Sequence, residues 1–301
     1  MRYRQVGSSG LTVSAVGLGC NNFGVRCDQE QASAVVRAAL DAGITFFDTA
    51  PAYGGPEGSE LMLGRALKGE RDRVVLATKF GFRVHPPDIA PGSRRNVRRE
   101  VEHSLQRLET DRIDLYYLHH VDPVTPIEET LDALHDLVTE GKVLYIGGCN
   151  MLAWQLVDAA WTAQSRRISH FVAAQNHYSL LDRSAEEQLM PVCARFGVGL
   201  VAHSPLANGL LSGKYRRGQT PPDGTRLAAR PAALTDANFD RVEALERFGH
   251  ERGLSLLEVA LGALLAQPTV ASVIAGATAA EQVRANASVA DIDVPLAEMR
   301  I

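Results

Sequence analysis

Cysteine is scarce: four residues in 301, at positions 20, 27, 149 and 193, with no CxxC pair and no repeated ligand spacing. That dispersal excludes a disulfide framework and a cysteine-built zinc site, and reduced thiols are the expectation for Cys20, Cys27, Cys149 and Cys193. Charge of one sign is lacking too. The 31 Lys and Arg residues face 35 Asp and Glu, for a formal net charge of −4, so no overall field draws in nucleic acid or an anionic membrane. Long apolar runs are also missing. Met1, Arg2, Tyr3 and Arg4 lead straight into a polar turn, with no stretch fit for a signal peptide or a membrane span. The expected location is cytoplasmic.

What is there is ordinary in amount and ordered in pattern. Hydrophobic residues make up 46% and charged residues 22%, enough to bury a large core without disulfide, metal or membrane. Short apolar runs alternate with amphipathic stretches: AVGLG from Ala15, ITFFD from Ile44, RVVLATKF from Arg73, IDLYYLH from Ile113, VLYIGG from Val143, FVAAQ from Phe171, VGLVAH from Val198 and VASVIAG ending at Gly276. They are nearly continuous in apolar residues, as parallel strands covered on both faces are. Between them QASAVVRAALDAG, RREVEHSLQRLE, IEETLDALHDLVTEG and SAEEQLMPVCARFG read as helices, several closed by glycine.

About eight βα units of roughly 30 residues each, with no compositional break, predict an α/β fold, a closed (β/α)8 TIM barrel in a single domain over residues 1–301. RYRQVGSSGLTVS predicts a short N-terminal hairpin around Gly7 to Gly10 that caps the bottom of the barrel. The segment from Pro205 to Thr235 is too long for a bare connector, and segments of that kind are functional or disordered.

In a parallel barrel, reacting side chains converge from the C-terminal ends of different strands and the loops that follow. Asp48 ends the second run, Tyr53 follows in FFDTAPAYGG, Lys79 ends the third in VLATKFG, and His119 ends the fourth in LYYLHHVDP. Singly, each reads more readily as structural, an Asp capping the next helix or a Tyr packing in a loop. Together they suit proton transfer. A phenol with a pKa near 10 can protonate a forming alkoxide where a neighbouring ammonium lowers that pKa. Lys79 would supply the ammonium, Asp48 would hold it charged and oriented, and His119 would hydrogen-bond the carbonyl oxygen. None of these groups carries two electrons, so a hydride source is required, and a nicotinamide cofactor is the usual one.

FFDTAPAYGG followed by EGSELMLGRAL, LATKFG and IDLYYLHHVDP resembles, in order, the signature regions of the aldo-keto reductase superfamily, over nearly the whole chain. The resemblance implies the same four groups, Asp48, Tyr53, Lys79 and His119. Alternation along the strand sets His119 and His120 on opposite sides, and the family spacing from Asp114 favours His119. IGGCN resembles the Ser-Asn pair that binds the nicotinamide carboxamide: Asn150 matches, Cys149 replaces the serine as a weaker partner, and Gln175 in FVAAQNHY matches the next carboxamide ligand. In VAHSPLANGLLSGKY, His203 stands where the family stacks a tyrosine or tryptophan on the nicotinamide. Ser204, Leu206, Gly209 and Lys214 match the stretch over the pyrophosphate, and Arg226 would reach the adenosine 2′-phosphate.

VIAGATAAEQVRANASV resembles the turn and helix start around the adenosine phosphate, with Gly276, Thr278, Gln282 and Asn286 at the matching places. Gln282 stands where many NADP-specific relatives carry arginine, and Ala285 replaces a common acidic residue. The implied cofactor is NADPH (NADP+), with NADH possible. The chain runs only briefly beyond Asp293, which implies an open pocket of broad selectivity, set by loops around Asn21, Val84 to Pro91 and Asn208.

Other signals carry less. The glycines of VGLGCNNFG do not fit GxGxxG; in the resemblance this is the first barrel strand, with Asn21 and Asn22 at the rim beside the nicotinamide. His119, His120 and Asp122 lack a third ligand at metal spacing, so no metal is expected. RRNVRRE from Arg94 reads as the exposed first turns of a helix, and Trp154 and Trp161, on one helix face, are expected in the core.

The expected function is NADP(H)-dependent reduction of an aldehyde or ketone to an alcohol, with Tyr53 as general acid. An NAD-dependent sugar or alcohol dehydrogenase on the same site is one alternative. A slow-turnover, cofactor-binding regulatory subunit, as some members of the superfamily are, is another. The expected partner is a small-molecule carbonyl compound, with no nucleic acid or membrane, and the chain is expected as a monomer or weak homo-oligomer.

Overall fold

The computed structural model describes residues 1–55, 58–82, 89–295 and 298–299. Two short strands, β1 (Tyr3–Gln5) and β2 (Thr12–Ser14), pair antiparallel with Tyr3 opposite Ser14. Eight further strands follow: β3 (Val16–Gly19), β4 (Phe46–Asp48), β5 (Val75–Phe80), β6 (Ile113–Leu118), β7 (Val143–Cys149), β8 (Phe171–His177), β9 (Gly199–His203) and β10 (Val270–Gly276). They close in chain order into a parallel barrel, β10 returning to β3. Around them run α1 (Gln29–Asp41), α2 (Ser59–Ala66), α3 (Arg94–Arg107), α4 (Ile127–Thr139), α5 (Ala153–Arg166), α6 (Leu189–Phe196), α7 (Arg226–Ala229), α8 (Asp236–His250), α9 (Leu256–Leu265) and α10 (Ala280–Ser288). The architecture is the (β/α)8 TIM barrel expected, with its N-terminal hairpin.

Strand alternation divides the apolar residues between two cores. Phe46, Ala77, Leu115, Tyr117, Ala173 and Ile274 fill the barrel interior, whereas Phe47, Leu76, Tyr116, Leu118 and Ala174 face the helices. Val6, Leu11 and Val13 of the hairpin belong to the interior cluster, and Gly7 abuts Gly197 and Gly199 at the start of β9. The hairpin therefore plugs the N-terminal end of the barrel, and the other end is left for chemistry.

Local signals set the helix limits. Asp28 and Gln31 form a capping box on α1, Ser255 and Glu258 one on α9, and Ser93 caps α3. The basic run from Arg94 opens α3, where Arg94 pairs with Asp136 of α4, Arg98 with Glu140 just after it, and Arg99 with Glu100 of α3 itself. Among the described residues no helix is long and apolar enough to cross a membrane.

Two expectations fail. SAEEQLMPVCARFG is not one helix: Ser184–Glu186 is a 3-10 turn, and α6 begins only at Leu189. Pro191 explains the break, since it has no N–H to give and its ring would clash with the carbonyl four residues back. It is accommodated in the first turn of α6. Trp154 and Trp161 are not in the core but 64% and 54% exposed, and Trp161 lies edge-on against Phe196. The buried face of α5 is made instead by Leu156, Ala159 and Ala163.

Candidate active site

The inward positions at the C-terminal ends of β4 and β5 are polar. Asp48 continues the inward row begun by Phe46, and Lys79 that begun by Ala77. Lys79 Nζ donates to both oxygens of Asp48, at 2.8 and 2.7 Å, and to the carbonyl of Thr49 at 2.9 Å. Both side chains are buried, Lys79 completely. Burial works against the ammonium, but the charge of Asp48, helped by Tyr53 and Cys149, outweighs it, and the Lys79 pKa is raised.

Tyr53 comes from the loop after β4. Its backbone carbonyl accepts from the N–H of Ser59 at 2.9 Å, and Gly54, at φ +90°, closes the turn. A Cβ at Gly54 would lie 2.4 Å from the Ser59 nitrogen and 2.5 Å from the Phe23 carbonyl oxygen, so only glycine fits. Lys79 Nζ lies 4.9 Å from the centre of the Tyr53 ring, and His119 stands edge-on to that ring with centroids 5.9 Å apart. The expectation that the ammonium would lower the phenol pKa holds only for that one contribution. Burial raises it more than Lys79 lowers it, Asp48 adds to the rise, and the net shift is upward. The phenol therefore keeps its proton at neutral pH.

His119 follows β6, its N–H donating to the carbonyl of Phe80 at 2.8 Å. Burial, then Lys79, His120 and His203, lower its pKa to about 2, so the ring is neutral. His119 lines the cavity described below and His120 does not, as the spacing favoured. Alternation does not account for it, because β6 ends at Leu118 and the two imidazoles stack, 5.1 Å apart at 15°. Beyond the strand end, alternation no longer applies.

A cavity of about 470 Å³ opens at this end of the barrel. Asp48, Tyr53 and His119 lie at one end of it, with Asn150, Gln175 and His203 beside them. Lys79 is shut off behind Asp48. Asn150 Nδ2 donates to the His119 carbonyl at 3.1 Å, and Asn150 Oδ1 lies 3.0 Å from His203 Nε2. Gln175 Nε2 donates to Asp48 Oδ1 at 2.7 Å. Cys149 is turned away into the interior core, its thiol raised well above the ordinary range by burial, so it does not take the cavity-facing place of the serine it replaces. Burial above all, with His177, Lys79 and His120, lowers the His203 pKa to about 4.

The cavity continues past Ser204, Leu206, Gly209 and Lys214 to Arg226 and to Gly276, Thr278, Gln282 and Asn286. Thus, Cys149 apart, the residues expected to bind cofactor line one cavity. Asn150, Ser204 and Asn208 hold positive φ angles there, a concentration of backbone strain typical of ligand sites. Gln282 Oε1 accepts from the N–H of Thr278 at 2.9 Å, ordering the turn before α10. Asn21 and Asn22, expected at the rim beside the nicotinamide, line the same cavity and accept from Arg226 at 3.4 and 3.2 Å. Of the rim loops expected to set selectivity, Val84 to Asp88 lie outside the described residues.

A dinucleotide fits this shape and charge. Arg26, Lys214 and Arg226 line the cavity, and none pairs with a carboxylate among the described residues. Gly209 leaves room for the Lys214 head, which would lie 3.1 Å from a Cβ placed there. Burial lowers the Arg226 pKa, and Arg26 and Arg230 lower it further: cations are gathered here that an anion would relieve. Arg26 and Arg230 were missed in the sequence, where nothing in CNNFGVRCD or in the segment after Arg226 marks them as neighbours. Among the described residues no group of three or more His, Cys, Asp or Glu is placed to hold a metal ion.

Comparison with known proteins matches the model of the Aldo/keto reductase family to residues 15–301. The uncharacterized oxidoreductase YrpG of Bacillus subtilis (strain 168) is 40% identical over 94% of this chain and 89% of its own. The L-glyceraldehyde 3-phosphate reductase of Escherichia coli (strain K12) is 36% identical over 95% of this chain and 86% of its own. A probable voltage-gated potassium channel subunit beta of Oryza sativa subsp. japonica is 33% identical over 98% and 93%.

Proposed function

The chain belongs to the aldo/keto reductase family and is an NAD(P)H-dependent oxidoreductase, and from that premise we propose that it reduces an aldehyde or ketone to the alcohol with NADPH, Tyr53 delivering the proton. One observation carries the reading: Asp48, Tyr53 and His119 meet at one end of the cavity with the Lys79 ammonium directly behind them.

A bound nicotinamide supplies the hydride. The chain's own groups handle the oxygen and the proton. The neutral imidazole of His119 hydrogen-bonds the carbonyl oxygen and polarises it. Tyr53, held protonated by burial, gives its proton to that oxygen as negative charge develops there, and the Lys79 ammonium stabilises the phenolate left behind. Asp48 keeps the ammonium charged and aimed. Asn150 and Gln175 would hold the carboxamide, His203 would lie against the nicotinamide, Ser204, Leu206, Gly209 and Lys214 would hold the pyrophosphate, and Gly276, Thr278, Gln282 and Asn286 the adenosine end. The clustering of Arg226 with Arg26 and Arg230 supports NADP(H) over NAD(H). The whole of residues 1–301 acts as a single domain.

The test is loss of NADPH absorbance with an activated aromatic aldehyde, comparing wild type with Tyr53→Phe. A loss of at least about a hundredfold with NADPH binding retained supports the mechanism, and equal rates overturn it. Running the assay with both cofactors separates this reading from an NAD-linked dehydrogenase. The likeness to a probable potassium channel beta subunit favours one second reading, a cofactor-binding auxiliary subunit of slow turnover. Tight NADPH binding with negligible turnover on every carbonyl compound, together with a stable complex with another protein, would select it.

A further inference from the structure

The Lys79–Asp48 pair is held from two sides, and the second side is unexpected. Lys79 reaches Asp48 from the neighbouring strand, β5. Gln175 reaches it from β8, which stands four strands away in the closed ring of eight and therefore directly across the barrel. The bond spans the interior at 2.7 Å, between side chains that are 2% and 3% exposed. It falls on Oδ1, the oxygen that also takes the longer of the two bonds from Lys79.

We propose that Gln175 is a positioning residue for proton transfer: it clamps Asp48 from the far wall of the barrel and so fixes the Lys79 ammonium beside Tyr53. The inference rests on the reductase reading above and gives Gln175 a task distinct from holding the carboxamide. Lys79 has spent its three N–H groups on Asp48 and on the Thr49 carbonyl, so the ammonium sits wherever the carboxylate sits. Lys79 and the Thr49 carbonyl tie the carboxylate only to its own side of the barrel, and the amide N–H of Gln175 is the group that anchors Asp48 Oδ1 to the opposite wall. The same amide lines the cavity, so a ligand that fixes the Gln175 side chain also stiffens Asp48. Cofactor occupancy and the geometry of the proton donor are thereby coupled through one side chain.

Two substitutions separate positioning from simple cofactor binding. Gln175→Met keeps the length and removes the donor. Gln175→Glu keeps a donor only while its carboxyl group is protonated. With NADPH saturating, Gln175→Met is expected to lower kcat by about tenfold or more. Gln175→Glu is expected to approach wild type at low pH and to lose activity as pH rises, more steeply than wild type does. The alkaline difference titration of Tyr53, taken against Tyr53→Phe, is expected to move to higher pH in Gln175→Met, because Asp48 loses a partner that damps its negative field. That titration needs no turnover, so it reports on Gln175 even if wild type reduces none of the carbonyl compounds offered. If both variants lose only NADPH affinity, with kcat, pH profile and Tyr53 titration as in wild type, Gln175 is a cofactor ligand and nothing more.

Discussion

His203 and Asn150 are hydrogen-bonded to one another, Nε2 to Oδ1 at 3.0 Å. Since the Asn150 oxygen can only accept, Nε2 carries the imidazole proton, and Nδ1, 3.3 Å from Ser204 Oγ, is the acceptor. The ring is further held by His177, stacked 5.6 Å away. A tyrosine or tryptophan could stack over more area, but this imidazole also orients the amide beside it. His203→Phe keeps an aromatic face and drops the bond. It should weaken NADPH binding by about two- to tenfold, the worth of one ordinary hydrogen bond, as read by quenching of protein fluorescence. An unchanged dissociation constant would mean that Asn150 is oriented without His203.

Arg226 should discriminate between the two dinucleotides. It bonds only to Asn21 and Asn22 among the described residues and sits near Arg26 and Arg230. Arg226→Ala is expected to cost NADPH about ten- to a hundredfold in affinity, as for a charge-assisted bond, and NADH less than about threefold. Equal losses for both would place the 2′-phosphate elsewhere.

The neutral His119 has a consequence for stability. Its folded pKa, about 2, lies below its value of about 6.5 in the unfolded chain, so between those values the unfolded state binds the proton and the folded state does not. Stability contributed by this group is full above the unfolded pKa and falls as pH falls. Between pH 7 and pH 5 His119 alone should account for about 2 kcal/mol of lost stability. Urea unfolding of wild type and His119→Asn at both pH values measures it. Equal slopes in the two proteins would rule the contribution out.

Gly147 tests the inner core. A Cβ there would lie 2.6 Å from the Tyr117 ring and 2.8 Å from the Ala173 carbonyl oxygen. Gly147→Ala should destabilise the fold by about 1–3 kcal/mol and displace Tyr117, with thermal unfolding as the measure. A melting temperature within a degree or so of wild type would show that the interior has slack.

The fold was legible because its signal is distributed. Eight apolar runs separated by amphipathic stretches survive an error in any one of them, and the misread helix around Pro191 changed nothing about the barrel. The site was legible for a different reason: Asp48, Lys79 and His119 sit at or just after strand ends, where topology alone brings them together, and motif resemblance supplied the positions beyond. What could not be read was side-chain engagement across the barrel. The Gln175–Asp48 bond joins residues 127 positions apart, and no local pattern distinguishes a glutamine that faces the cavity from one that also grips a carboxylate. The two-residue period does not govern the rings of His119 and His120, because β6 ends at Leu118, before both of them. Arg26 was overlooked because a solvated arginine in a loop is the default, and only tertiary closure brings it near Arg226.

The order of strands around the barrel has a consequence for recombination. Asp48, Lys79 and His119 issue from the consecutive strands β4, β5 and β6, whereas the residues lining the rest of the cavity come mostly from β7 to β10 and the segments after them. The two sets occupy separate arcs of one ring. A crossover between Leu118 and Val143 would therefore exchange one arc between homologous chains while leaving the other intact. Such a hybrid would take its proton-transfer groups from one parent and most of its cavity lining from the other, with Asn21, Asn22 and Arg26 travelling with the first. Its seam would have to preserve the bonds that bridge the arcs, among them Gln175 to Asp48 and Asn150 to the backbone of His119.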